Sequence, residues 1–221
     1  CRVLMRQGAL RPYEQALLSG RELTAVTGEG QRLRWDVGRW LAPINDADRT
    51  VLARCVGPTL DVGCGPGRFV HACATAGQIA LGVDIAATAV ELTARRGAAV
   101  LLRDVFERVP GEGRWQTALL MDGNIGISGD PASLLARLGQ LLAPRGQLLV
   151  EADPDETADQ RLTVRLSDNT GLAYGPAFEW ALIGRIALAR HAAVAGLRYS
   201  GSWEADGRVF VRLTLSEPPA P

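Results

Sequence analysis

Between positions 59 and 69 a short apolar run, Thr59, Leu60, Asp61 and Val62, gives way to Gly63, Gly65 and Gly67 on alternate positions, with Cys64 and Pro66 between them. A helical pattern starts at once with Arg68 and Phe69. Glycines crowd in this way where backbone must turn sharply and let a ligand lie against it with no Cβ intervening. Two familiar ligands do not fit. A dinucleotide fingerprint, G-x-G-x-x-G, would put its third glycine where Arg68 stands. A phosphate loop needs a lysine after its last glycine, and all 24 basic residues of this chain are arginine. Asp61, placed ahead of the glycines, favours a ligand carrying positive charge over a pyrophosphate.

The 221 residues suit one large domain with modest additions. A hydrophobic share of 47% and a charged share of 22% are those of a soluble globule, and no apolar run is long enough to suggest a membrane span. The first ten residues lack the apolar core of a signal peptide. The chain opens on Cys1 rather than Met, which suggests that further residues precede it. Four cysteines, Cys1, Cys55, Cys64 and Cys73, show no zinc or redox spacing and read as free thiols of a reducing, cytoplasmic compartment. The 24 arginines are balanced by 24 acids, without the basic excess of a nucleic-acid binder, so no nucleic-acid partner is expected. Net charge near zero does little to oppose self-association, which leaves a homodimer open. Without lysine, Schiff-base chemistry is excluded, and an imidazole base would have to be His71 or His191.

Residues 1–20 read as a helical lead, and 22–26 and 31–36 as a hairpin around Gly28 and Gly30. Two short helical stretches, 37–41 and 46–55, follow on either side of Pro43. We take 1–55 as an extension that helps to cover the site. From residue 58 strand-like runs (79–83, 98–102, 117–121, 147–150) alternate with helical ones (69–75, 86–96, 131–142). This alternation implies right-handed crossovers and a parallel sheet covered on both faces. It then lapses in an insertion at 152–178, with one strand-like run at 161–166. Residues 178–195 read as a helix, 197–203 and 208–215 as a closing hairpin around Gly207, and 217–221 as a tail. The body, 56–216, is expected to be one ligand-binding domain.

The first four strands of this region each end in or near an acid: Asp61, Asp84, Asp104 and Asp122. In an open α/β sheet ligands bind beyond the carboxyl ends of the strands. The glycine segment resembles the first motif of the class I S-adenosylmethionine-dependent methyltransferases, small-molecule type. The likeness extends through Gly82-Val83-Asp84-Ile85, Arg103-Asp104-Val105, Met121-Asp122-Gly123-Asn124 and the turn Leu142 to Glu151. It implies a doubly wound, Rossmann-like, seven-stranded and mostly parallel sheet, closed by the antiparallel C-terminal hairpin. It also implies S-adenosyl-L-methionine as cofactor, held by Asp61, Gly63, Gly65, Gly67, Arg68, Asp84, Ile85, Asp104, Val105, Met121 and Asp122. Asp84 would take the ribose hydroxyls, Asp104 the adenine amino group, and Met121 and Asp122 the methionine part.

Methyl transfer from a sulfonium is an in-line displacement, so positioning is the main demand on the protein. No cluster of metal-ligating residues is evident, and no metal is expected. For a hydroxyl acceptor a base would help, and Asp122, Asn124 or His71 are the candidates; Asp122 and Asn124 read also as a tight turn, and His71 more readily as a packing residue. Tyr13, Trp35, Trp40, Tyr174, Phe178 and Trp180 read either as walls for a small planar acceptor, Tyr13, Trp35, Tyr174 and Trp180 first among them and with Asn124 beside them, or as staples fixing the extension to the body. A protein that binds the cofactor without transferring methyl would carry the same binding residues.

Overall fold

The computed structural model describes residues 2–167 and 173–216. The chain enters through helix α1 (Arg2–Ser19), which stops at Gly20 in the left-handed region, φ 69°. The hairpin β1 (Leu23–Thr27) and β2 (Arg32–Trp35) leads to two short helices, α2 (Val37–Leu41) and α3 (Asp46–Leu52). A reciprocal cap fixes the start of α3: Asn45 Oδ1 accepts from the Asp48 amide at 2.9 Å, and Asp48 Oδ2 from the Asn45 amide at 3.3 Å.

Strand and helix then alternate: β3 (Thr59–Val62), α4 (Arg68–Thr75), β4 (Ala80–Asp84), α5 (Ala87–Arg95), β5 (Val100–Leu102) and β6 (Trp115–Leu120). A 3-10 segment, Asn124–Gly129, precedes α6 (Pro131–Leu141), whose start combines an Asp130 cap with Pro131 in the first turn. Next come β7 (Leu142–Ala152), β8 (Asp159–Ser167), β9 (Ala173–Ile183), α7 (Arg185–Val194), β10 (Leu197–Ala205) and β11 (Arg208–Leu215).

The main sheet runs β10-β11-β7-β6-β3-β4-β5, parallel from β7 to β5 and antiparallel at β11 and β10. This is the expected seven-stranded, doubly wound sheet with its closing hairpin. Apolar runs such as Ala118, Leu119, Leu120 and Met121 follow from burial of both faces. Ala118 and Leu120 meet Leu134, Leu135, Leu138 and Leu141 of α6, while Leu119 and Met121 meet Phe69 of α4 and Phe210 of β11. Each fully buried leucine contributes about 1.5–3 kcal/mol. Strand order reverses between β3 and β6, which opens a crevice above their carboxyl ends.

A second sheet, antiparallel and ordered β2-β1-β8-β9, unites the N-terminal hairpin with the insertion. Here the structure corrects two expectations. The insertion is a pair of long strands rather than a loop with one strand, and the expected helix at 178–195 begins only at Arg185. Residues 178–183 pair with β8 instead, with Trp180 opposite Leu162 and Phe178 opposite Val164. Their apolar spacing fits either period, and the cross-strand aromatic packing decides for the strand. Among the described residues no helix is long and apolar enough to cross a membrane.

Candidate active site

The segment after β3 is held in its turn by left-handed backbone at Gly63 (φ 68°), Gly65 (φ 53°) and Gly67 (φ 79°). Space forbids side chains as well. A Cβ on Gly63 would lie 2.6 Å from Asn124 Nδ2, and one on Gly67 would collide with Thr93. Three side chains fasten this loop. Asn124 Nδ2 donates to the carbonyls of Val62 (3.0 Å) and Gly63 (2.8 Å), and Thr93 Oγ1 donates to that of Gly65 (2.8 Å). The Gly65 amide donates to Asp84 Oδ2 at 2.9 Å, while the Ala86 amide donates to Asp84 Oδ1 at 2.8 Å. Burial pushes Asp84 up, against the pull of these amides.

Beneath the loop lies a charge network drawn from distant parts of the chain. Arg68 reaches Asp48 (Nε to Oδ2, 2.9 Å) and grips both oxygens of Asp122 (2.5 and 3.0 Å). Arg208 joins Asp48 (2.6 Å) to Glu151 (2.6 and 2.8 Å), and Arg39 reaches Asp122 at 3.1 Å. Three arginines therefore face three carboxylates. Burial alone would raise Asp48, but Arg68 and Arg208 outweigh it and hold the acid below the usual carboxylate range. Asp122 stands at φ 57°, its amide donating to Glu151 at 2.7 Å. Asp61 differs: burial pushes it up to about 7, Arg68 opposing and Asp122 and Asp84 adding.

Above the loop is a cavity of about 510 Å³, in the usual range for a small-molecule site. Tyr13, Trp35, Gly63, Gly65, Arg68, Asp84, Ile85, Asp104, Val105, Asp122, Asn124 and Trp180 all stand on its wall. Asp61 and Gly67 lie off the wall, the first buried in β3 and the second turned to Thr93; Met121 is buried against Phe69. His71 points to the Arg96 carbonyl, Nδ1 to O 2.9 Å, away from the cavity. The side chain of Tyr174 lies outside the described residues. Trp40 and Phe178, which the sequence offered among its aromatic candidates, stand there too, and the wall also includes Phe106, Ile127 and Ser128, which no motif marked.

The site suits an adenosyl ligand. Asp84, held by the amides of Gly65 and Ala86, stands on the cavity wall and presents a carboxylate acceptor of the kind two neighbouring ribose hydroxyls require. Ile85 offers an apolar flank, 36% exposed, and Gly65 lets a ligand lie against the peptide. Glycine loop, acid-tipped strands and strand order together define a Rossmann-like adenosyl-binding domain. Residues 60–150 match the family model of the methyltransferase domain, and together with this fold the match supports an S-adenosylmethionine-dependent methyltransferase.

No curated protein sequence matches the chain. Among solved structures it is similar to an S-adenosylmethionine-dependent methyltransferase of Bacteroides fragilis bound to S-adenosylhomocysteine. That pair shows 20% identity over 96% of this chain and 97% of that one, with a TM-score of 0.77. A 1,6-didemethyltoxoflavin-N1-methyltransferase of Burkholderia thailandensis (18%, 76% and 75%, TM-score 0.57) and a sugar N-methyltransferase of Streptoalloteichus (18%, 77% and 85%, TM-score 0.56) share the fold.

Proposed function

We propose that this enzyme methylates a small molecule at nitrogen, in the cytoplasm, by in-line displacement assisted by position alone. Bound S-adenosylmethionine supplies an electrophilic methyl group on a sulfonium. Gly63, Gly65 and Asn124 would shape the methionine end, Asp84 would take the ribose, and Ile85, Val105 and Asp104 the adenine. The observation that carries the reading is the single cavity in which the glycine loop and Asp84 share one wall with the aromatic side chains of the second sheet.

The choice of nitrogen follows from how the candidate bases are used. Both oxygens of Asp122 are gripped by Arg68, and the amide hydrogens of Asn124 go to loop carbonyls. A neutral amine or ring nitrogen brings its own lone pair, whereas a hydroxyl wants a base within hydrogen-bond reach. Two of the structural relatives are N-methyltransferases by name, in agreement with this reading. Cys55, Cys64 and Cys73 are free and buried, as suits a reducing compartment.

Calorimetry with S-adenosylmethionine, S-adenosylhomocysteine and NAD tests the cofactor assignment, and binding of NAD alone would overturn it. Release of S-adenosylhomocysteine, followed across matched amines and alcohols, tests the acceptor atom. Turnover confined to the alcohols would refute nitrogen.

A further inference from the structure

One corner of the cavity has features that binding of the cofactor leaves unexplained. Trp35 of β2 and Phe178 and Trp180 of β9 line it together. Ring centroids lie 5.0 Å apart for Trp35 and Trp180, and 6.4 Å apart for Phe178 with either tryptophan. The three rings make one continuous half-buried aromatic surface.

Ser128, on the 3-10 segment between β6 and α6, lines the same cavity. Its backbone is left-handed, φ 70° and ψ −4°, a conformation that a serine adopts at a cost. Its Oγ is buried and has no hydrogen-bond partner among the described residues. A buried hydroxyl without a partner is unfavourable and calls for an explanation. Strain and an unused donor meet in one wall residue.

The two walls are locked together. Gly126 packs so closely under Trp180 that a Cβ there would lie 2.5 Å from the ring, and one on Gly129 would lie 2.7 Å from Glu179 Cβ. The segment carrying Ser128 begins at Asn124, which clamps the glycine loop. A molecule resting on Trp180 and Ser128 is thereby positioned against the loop that shapes the donor site.

We propose that this corner is the acceptor subsite, and that it takes a flat aromatic or heteroaromatic ring bearing a hydrogen-bonding substituent. The ring lies on Trp35, Phe178 and Trp180, and a turn of Ser128 between staggered rotamers brings its buried Oγ round to pair with the substituent. The assignment rests on the methyltransferase reading and narrows its substrate class. Aromatic faces prefer polarisable planar partners to saturated ones of equal size. The Ser128 hydroxyl adds orientation rather than bulk affinity.

The test uses the full chain saturated with S-adenosylhomocysteine and two probes of similar shape, 1-naphthol and decahydro-1-naphthol, by calorimetry. The aromatic probe should bind about tenfold more tightly, the scale of one good aromatic contact. Trp180→Leu should erase this preference and Trp180→Phe should keep it. Ser128→Gly, which suits the left-handed backbone, should weaken 1-naphthol severalfold with S-adenosylhomocysteine affinity unchanged. If Trp180→Leu unfolds, as loss of cofactor binding would reveal, Trp35→Leu takes its place. Equal binding of the two probes, or 1-naphthol binding indifferent to both substitutions, would overturn the subsite while the donor site stands. Failure of the unaltered protein to bind S-adenosylhomocysteine would instead overturn the methyltransferase reading itself.

Discussion

The rim of the parallel sheet and the antiparallel sheet above it enclose the same cavity by opposite means. At the rim, the wall is made of backbone freed of side chains and of acids such as Asp84 and Asp122, whose hydrogen bonds are fixed beside the strand ends. In the upper sheet, the wall is made largely of bulky rings, Trp35 of β2 with Phe178 and Trp180 of β9, more than 140 residues apart, and among the described residues Glu179 is the one charged residue of that sheet beside them. A donor of constant structure calls for the first kind of surface, and an acceptor that differs between enzymes suits the second. Buried charge, not apolar packing alone, joins the extension to the rim: Asp48 of α3 binds Arg68 and Arg208.

This joint is the place to strike first. Asp48→Ala would leave two buried guanidinium groups facing Asp122 and Glu151 alone. The loss expected on breaking a buried pair is about 3–5 kcal/mol, read as a fall in the urea midpoint at constant slope. A shift under 1 kcal/mol would show that extension and rim are held by packing alone. The next effect separates the surfaces functionally. Asp84→Ala should weaken S-adenosylhomocysteine by roughly 1.5–3 kcal/mol, the range for hydrogen bonds to a charged group. Trp35→Leu should leave that affinity within about twofold, because its loss falls on the acceptor side. Equal losses from both would dissolve the distinction.

The two surfaces also differed in how far residues alone disclosed them. The glycine loop was legible because three positive-φ turns leave one amino acid that fits, and the acids at strand ends repeat with each βα unit. The order of the main sheet followed from that alternation. The upper sheet was half hidden. Residues 178–183 carry an apolar pattern compatible with a helix or a strand, and their pairing with β8 decides between them. Asp48 was passed over because its partners stand 20 and 160 positions away, with no local spacing to report them. Ser128 carries no local signal; its left-handed backbone and its unpaired hydroxyl exist only in three dimensions.

The last contrast concerns two acids under the loop that answer burial in opposite ways. Asp48, with its pKa held down by Arg68 and Arg208, adds stability that is present above the ordinary carboxylate pKa and lost as pH falls through its own. Asp61, raised to about 7, does the reverse. Between the unfolded value and about 7 the folded chain holds a proton that the unfolded chain has lost, so stability declines as pH rises through this window. For one group the slope is at most about 1.4 kcal/mol per pH unit. If a cationic donor above the loop favours ionised Asp61, its binding below pH 7 releases that proton, and its affinity should climb with pH before levelling off. Asp61→Asn should flatten both curves, seen in urea midpoints and in calorimetry with S-adenosylmethionine from pH 5.5 to 8. If the wild-type affinity is already flat across that range, Asp61 does not sense the donor, and the rim grips its ligand through Asp84 and the peptide groups alone.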